Sequence, residues 1–276
     1  MSIKLIATDM DQTVLRSDKT YDSKRLEQVI NQLHQKGVVF VVASGNSHEF
    51  LQQYLKSMQI EDVYIAGDNG NYLAKSEKVE HIFSIPRTTA KEIVSYIESL
   101  PERDCLISTT KTAYTLVKEQ KVIDEFLRYN SEMNLITDLA EIPSDEEILK
   151  IAVLSFLGLE QNKQLAHELK TTYSGVTSVT SADEWVDVYH KDGGKGAAVT
   201  YLQHKYHISP EETIAFGDSL NDLPMMQAVI HSVAMSNADD ALKAHCRYQI
   251  GSNEEQAVIT TLEQLLKEEL SVDFLR

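Results

Sequence analysis

Short apolar runs that stop on polar residues, separated by stretches with apolar residues at helical spacing, constrain this chain more than any other feature. The first run, Ile3-Lys4-Leu5-Ile6-Ala7-Thr8, has the character of a buried strand and stops at Asp9-Met10-Asp11. Leu26, Val29, Ile30 and Leu33 then recur at helical spacing, Gly37 supplies a stop, and residues 38–43 read as a second buried strand. Ser44-Gly45-Asn46-Ser47 follows, then a helical stretch over 48–57 and a third strand over 63–66. Strands alternating with helices imply a parallel sheet covered on both faces.

The middle of the chain breaks this rhythm. Residues 71–85 read as a hairpin, with helices expected over 89–99 and 118–129 and strands over 106–109, 151–156 and 177–181. The α/β alternation resumes with a helix over 195–204, a buried strand over 213–216 that ends in Gly217-Asp218, and a helix from Leu220. Val258, Ile259, Leu262, Leu265 and Leu266 mark an amphipathic closing helix. The expected architecture is a Rossmann-like α/β core, formed by 1–85 and 188–276, interrupted by an inserted α+β cap over 86–187.

Composition narrows the function. With 276 residues and 42% hydrophobic content the chain can bury a full core. Its formal net charge of -16 argues against nucleic acid or an anionic membrane as main partner, so any anionic substrate must be attracted locally. Cys105 and Cys246 form no CxxC pair, which leaves no sign of a zinc site or redox dithiol. The opening residues lack a basic segment followed by a signal-length apolar run, and no long uncharged apolar stretch occurs, so the expectation is a soluble cytoplasmic protein.

In a parallel sheet the loops at the carboxyl ends of strands share one rim, where ligands bind. Asp9, Asp11, Ser44 and Asp218 all fall at such ends. Phosphoryl transfer needs a nucleophile, a hard cation and donors for the transferring oxygens, and the rim offers each. Asp9-Met10-Asp11-Gln12-Thr13 has the form DxDxT, Lys195 stands in Gly194-Lys195-Gly196, and Gly217-Asp218-Ser219-Leu220-Asn221-Asp222 has the form GDxxND. With Ser44 between the first and the last two, these segments resemble, in order, the four motifs of haloacid dehalogenase superfamily phosphatases. The GDxxND form and the insertion between the second and third motifs are similar to the Cof-like subfamily with a large α/β cap of type IIB.

The resemblance implies a magnesium-dependent phosphatase that hydrolyses a small phosphorylated metabolite, such as a sugar phosphate, nucleotide or cofactor phosphate, through an aspartyl-phosphate. It makes Asp9 the nucleophile and Asp11 the general acid and then the base. It assigns magnesium to Asp9, the backbone carbonyl of Asp11 and Asp218, with Asp222 orienting a metal-bound water. Ser44, Lys195 and Asn221 would hold phosphate oxygens. Gln12 stands where the family usually has glycine, and Asn46 where the subfamily commonly has arginine.

Other readings stay open on the sequence alone. Paired acids after a strand also cap helices, Ser44 is a cap candidate, and Ser219 with Asp222 forms a capping-box pattern. His48, His190, His231 and His245 lack metal-ligand spacing, Trp185 reads as packing, and Asp68-Asn69-Gly70 reads as a turn that also resembles a rim segment of the subfamily. A sugar phosphomutase, or an idle protein that binds a phosphorylated ligand, are the competing functions.

Overall fold

The computed structural model describes residues 2–56, 62–76, 78–128, 130, 132–182 and 184–275. Its larger sheet has eight strands, with Leu5–Thr8 near the middle. Thr213–Gly217 pairs with that strand in parallel on one side and Val39–Ala43 on the other. Parallel pairing continues outward to His231–Met235 and Tyr248–Ile250 on the first side and to Tyr64–Gly67 on the second. The expected hairpin is present as Tyr72–Lys75 and Lys78–Ile82, which add antiparallel to that edge.

Because the chain runs outward in opposite directions from Leu5–Thr8, the strand order reverses beside it, and a crevice opens at the carboxyl ends there. All residues of Leu5–Thr8, Thr213–Gly217 and His231–Met235 are buried, the pattern of a sheet covered on both faces. The helix Ser23–Gln35 buries Leu26, Val29, Ile30 and Leu33, as their spacing predicts, and Asp22 caps its start by accepting from the Arg25 amide at 3.2 Å. The stop expected at Gly37 is real, with φ at 77°. The closing helix Ala257–Lys267 lies against Ser23–Gln35, and Glu263 pairs with Arg25 at 2.8 Å.

A second sheet of six strands holds the inserted segment, in the order Val176–Ala182, Trp185–His190, Ile148–Ser155, Arg103–Thr109, Ala113–Thr115, Asn134–Leu135. Helix Arg87–Glu98 seats Ala90, Ile93, Val94 and Ile97, and helix Leu159–Thr172 seats Leu165, Ala166 and Leu169, in one core with this sheet. Phe126, from helix Gln120–Phe126, packs in a separate cluster with Leu106, Ala152 and Leu154.

Several local expectations change. Leu159–Thr172 is a full helix that the sequence reading missed, because polar residues dilute its apolar stripe. Trp185–His190 is a strand that pairs through His190, so the expected return to the core at 188 falls inside it. From Leu220 the chain makes a 3-10 turn, Leu220–Asp222, before the short helix Leu223–Gln227, where Pro224 can sit only in the first turn. The ends expected at Ser57 and Tyr129 lie outside the described residues. Among the described residues no helix is long and apolar enough to cross a membrane, and both cysteines are free.

Phe40 is 1% exposed in the strand next to the central one. Truncation there leaves a cavity that a close-packed sheet interior cannot close, so Phe40→Ala is expected to cost about 3–5 kcal/mol. Chemical denaturation checks this, and a loss below about 1 kcal/mol contradicts the burial assigned to it.

Candidate active site

Two neighbouring strands deliver the first two carboxylates. Leu5–Thr8 ends at Asp9, whose amide donates to the Phe216 carbonyl at 3.0 Å, and Thr213–Gly217 ends at Asp218. One carboxylate oxygen from each of Asp9, Asp218 and Asp222 lies within 4.8 Å of the others. This crowding requires glycine at 217, since a Cβ there would stand 2.5 Å from Asp222 Oδ2.

Lys195 holds the cluster together. It opens the helix Lys195–Tyr206 and is 1% exposed, with its ammonium donating to Asp9 Oδ1 at 2.7 Å and Asp222 Oδ1 at 2.5 Å. Asn221 Oδ1 is a weaker acceptor at 3.4 Å. The glycine after Lys195 is a packing requirement, because a Cβ at Gly196 would approach the Pro224 carbonyl oxygen to 2.3 Å. Asp222 was expected to orient a metal-bound water. Its Oδ2 accepts from the amides of Asp218 at 2.9 Å and Ser219 at 3.1 Å, and its Oδ1 accepts from Lys195. The capping-box reading of Asp222 holds, and the same buried carboxylate shapes the loop and fixes the lysine.

Asp11 occupies a different environment, only partly buried. Lys19 Nζ donates to its Oδ1 at 2.6 Å and Asn46 Nδ2 to its Oδ2 at 2.7 Å. Asn46 thus binds the second acid of the pair. Gln12 keeps the left-handed turn that glycine would favour, at φ 58°, a conformation that costs a side-chain-bearing residue about 1–2 kcal/mol. Asn237 donates to the Gln12 carbonyl oxygen at 2.9 Å and Asn253 to its Oε1 at 3.3 Å, which holds the loop.

Asp9, Asp11, Ser44, Asp218 and Asn221 line a cavity of about 350 Å³, and Lys195 and Asp222 lie behind this wall. Ser44 follows the strand Val39–Ala43 and accepts the Asn46 amide on Oγ at 3.1 Å. Thr13, not among the expected site residues, donates to Asp218 Oδ1 at 2.8 Å. Asn69, in the segment read as a turn that also resembles a rim segment, was not among the expected site residues either. It accepts from Asn221 Nδ2 at 3.1 Å and donates to Asp187 Oδ2 at 2.7 Å, so the expected turn after the third strand is part of the rim. Trp185 does pack, against Phe126 at 5.9 Å, yet it also faces the cavity. The four histidines set aside stay apart from the carboxylate cluster, and burial depresses His48 to about 4.

Charge imbalance sets the chemistry. Burial pushes Asp9 well above the usual carboxylate range; Lys195 opposes this, and Asp222, Asp218 and Asp11 add to it. Burial and Asp222 carry Asp218 up to about 7, against the Thr13 hydroxyl and Lys195. Burial works against the charge of Lys195, but Asp222 and Asp9 outweigh it and raise its pKa. Three clustered carboxylates facing one ammonium leave an all-oxygen donor set with surplus negative charge. Such a set fits a hard divalent cation of the magnesium type.

A family model of haloacid dehalogenase-like hydrolases matches residues 6–262, nearly the whole chain. This chain belongs to that family. The hydrolase is similar to 5-amino-6-(5-phospho-D-ribitylamino)uracil phosphatase YbjI of Escherichia coli strain K12, at 28% identity over 282 residues, with 99% of this chain and 100% of the relative covered. Its fold matches the crystal structure of SMU.1108c from Streptococcus mutans UA159 with a TM-score of 0.89 at 26% identity, over 96% of this chain and 100% of the other. It also matches the subclass IIB sugar phosphatase BT4131 with a TM-score of 0.77 at 20% identity, over 95% and 98%. That likeness extends the shared fold to the capped form.

Removing Lys195 from this hydrolase would leave Asp9 and Asp222 buried without their cation. Lys195→Met is expected to lose about 3–5 kcal/mol of stability near neutral pH. Asp9 has a folded-state pKa raised above its unfolded value. Its contribution is therefore present at low pH and lost as pH rises through the folded value, so the penalty should be smaller at about pH 5 than at about pH 8. Denaturation of both proteins at the two pH values checks this; an equal penalty at both contradicts it.

Proposed function

We propose that this hydrolase is a magnesium-dependent phosphatase that cleaves a small phosphorylated metabolite through an aspartyl-phosphate on Asp9. The observation that carries the reading is the pairing of two acids from one strand end in unlike settings. Asp9 is buried against Lys195 at the cavity wall, and Asp11 is partly exposed between Lys19 and Asn46. The likeness to a phosphatase over the full length of both chains supports the same reaction class.

In this reading the Asp9 carboxylate attacks phosphorus and an oxygen–phosphorus bond forms as the ester oxygen departs. Asp11 gives that oxygen its proton, then takes one from the water that hydrolyses the aspartyl-phosphate. Ser44 and Asn221 line the cavity and supply donors for the phosphoryl oxygens, with Lys195 providing positive charge from behind Asp9. Magnesium, held by Asp9, the Asp11 carbonyl oxygen and Asp218, would supply the charge that lets an anionic phosphoryl group approach these carboxylates. Asp222 serves by fixing Lys195 and the Asp218 loop.

Exhaustive chelation should abolish phosphate release from a panel of phosphorylated sugars, nucleotides and cofactors, and magnesium should restore it. Asp9→Asn should remove turnover altogether. Asp11→Asn keeps the nucleophile and should cost about 100- to 10,000-fold in turnover. Full activity in the absence of divalent cations, or small and equal losses for the two variants, contradicts the mechanism.

A further inference from the structure

The cavity has a second polar wall that the phosphoryl chemistry leaves unused. It comes from the six-stranded sheet, where Lys150 stands opposite Ser108 and Ala152 opposite Asp187 in the antiparallel registers. Side chains alternate along a strand, so Ser108, Lys150 and Asp187 share the face that meets the rim of the larger sheet. All three line the cavity with Asp68.

Lys150 Nζ donates to the Gly45 carbonyl oxygen at 2.6 Å, on the loop that carries Ser44. It also lies 3.7 Å from Asp68 Oδ1 and 3.9 Å from Asp187 Oδ1. Asp68, Lys150 and Asp187 are 2%, 7% and 3% exposed, so they are built into the wall rather than displayed on a surface. Asp68 Oδ1 is buried and receives no close hydrogen bond, its nearest cation being the Lys150 ammonium at 3.7 Å. Two carboxylates face one ammonium whose shortest bond is already spent on Gly45, and Asp187 has a further donor, Asn69 on its Oδ2 at 2.7 Å. The wall therefore offers acceptors in excess and repels a second anion.

We propose that Asp68, Lys150 and Asp187 determine specificity by reading the leaving group, selecting phosphate monoesters whose carbon chain bears hydrogen-bond donors such as hydroxyl or amino groups. This rests on the phosphatase reading above. The phosphoryl group sits at Asp9 and Ser44, the leaving group extends toward the second sheet, and its donors meet Asp68 and Asp187 while Lys150 donates to its oxygens. An analogue without those groups leaves Asp68 Oδ1 without a close hydrogen bond and is discriminated against. A leaving group with its own phosphate faces two carboxylates and is rejected.

The test compares kcat/KM of the full-length enzyme with magnesium on erythritol 4-phosphate, n-butyl phosphate and butane-1,4-diol bisphosphate. The first two share a four-carbon chain and differ in hydroxyl groups. Wild type should prefer erythritol 4-phosphate to butyl phosphate by at least about 100-fold and should disfavour the bisphosphate. Asp187→Asn and Lys150→Met should each shrink the first ratio by about tenfold or more, while Lys150→Arg keeps most of it. A wild type that turns over butyl phosphate without preference overturns this inference and leaves the phosphatase reading standing, with no variant needed. Variants that lose activity equally on all esters show a clasp between the sheets and also overturn it. Failure of wild type to hydrolyse any ester overturns both readings.

Discussion

Everything at this site depends on one buried ammonium held between two carboxylates. Lys195 joins Asp9, at the end of the central strand, to Asp222, in the turn after the neighbouring strand. Without it, like charges at adjacent strand ends would repel in a medium where such repulsion is poorly screened. The geometry around the lysine follows from that need. Gly217 lets the Asp222 side chain fold back under the loop, and Gly196 lets the helix carrying Lys195 approach the Pro224 backbone. The remaining carboxylates, Asp9 and Asp218, leave an oxygen donor set that fits a hard cation.

The polar contacts continue outward from that centre as a connected set. Asn221 touches Lys195 and Asn69, Asn69 reaches Asp187 in the second sheet, and Lys150 returns from that sheet to Gly45. Both links reach a residue that lines the cavity, Asp187 and Lys150, so the pieces that would hold a phosphoryl group and those that would meet its leaving group are physically joined. On the proposed mechanism, a leaving group that disturbs the outer contacts is felt at Ser44 and Asn221.

Much of this was legible in the sequence because local rules coincide with the chemistry. A buried strand that stops on acids announces itself through composition alone, and three of the expected site residues, Asp9, Asp11 and Asp218, occupy such ends. Lys195 and Asn221 were legible only as parts of motifs. Asp222 was legible as a cap, and the structure shows that cap together with a bond from Lys195. The role of Asn46 was not legible, since its bond to Asp11 spans 35 positions and is set by the meeting of two loops. Asp68 and Asn69 looked like turn residues because their polar partners, Lys150 and Asp187, lie on strands of another sheet. Those partners in turn were hidden: a lone lysine or aspartate within an apolar strand has no local signature, and only the pleat of the second sheet turns them toward the cavity.

The central claim is a covalent phosphoryl group on Asp9, and trapping it tests the account most directly. Asp11→Asn, mixed with an activated aryl phosphate whose leaving group needs little protonation, should form the adduct faster than it can be hydrolysed. Acid quenching, digestion and mass spectrometry should then find one added phosphoryl group on the peptide containing Asp9, localised to that residue and absent from Asp9→Asn. Phosphate release by wild type with no adduct on Asp9 at any time in either protein, or an adduct on a different residue, would contradict the account.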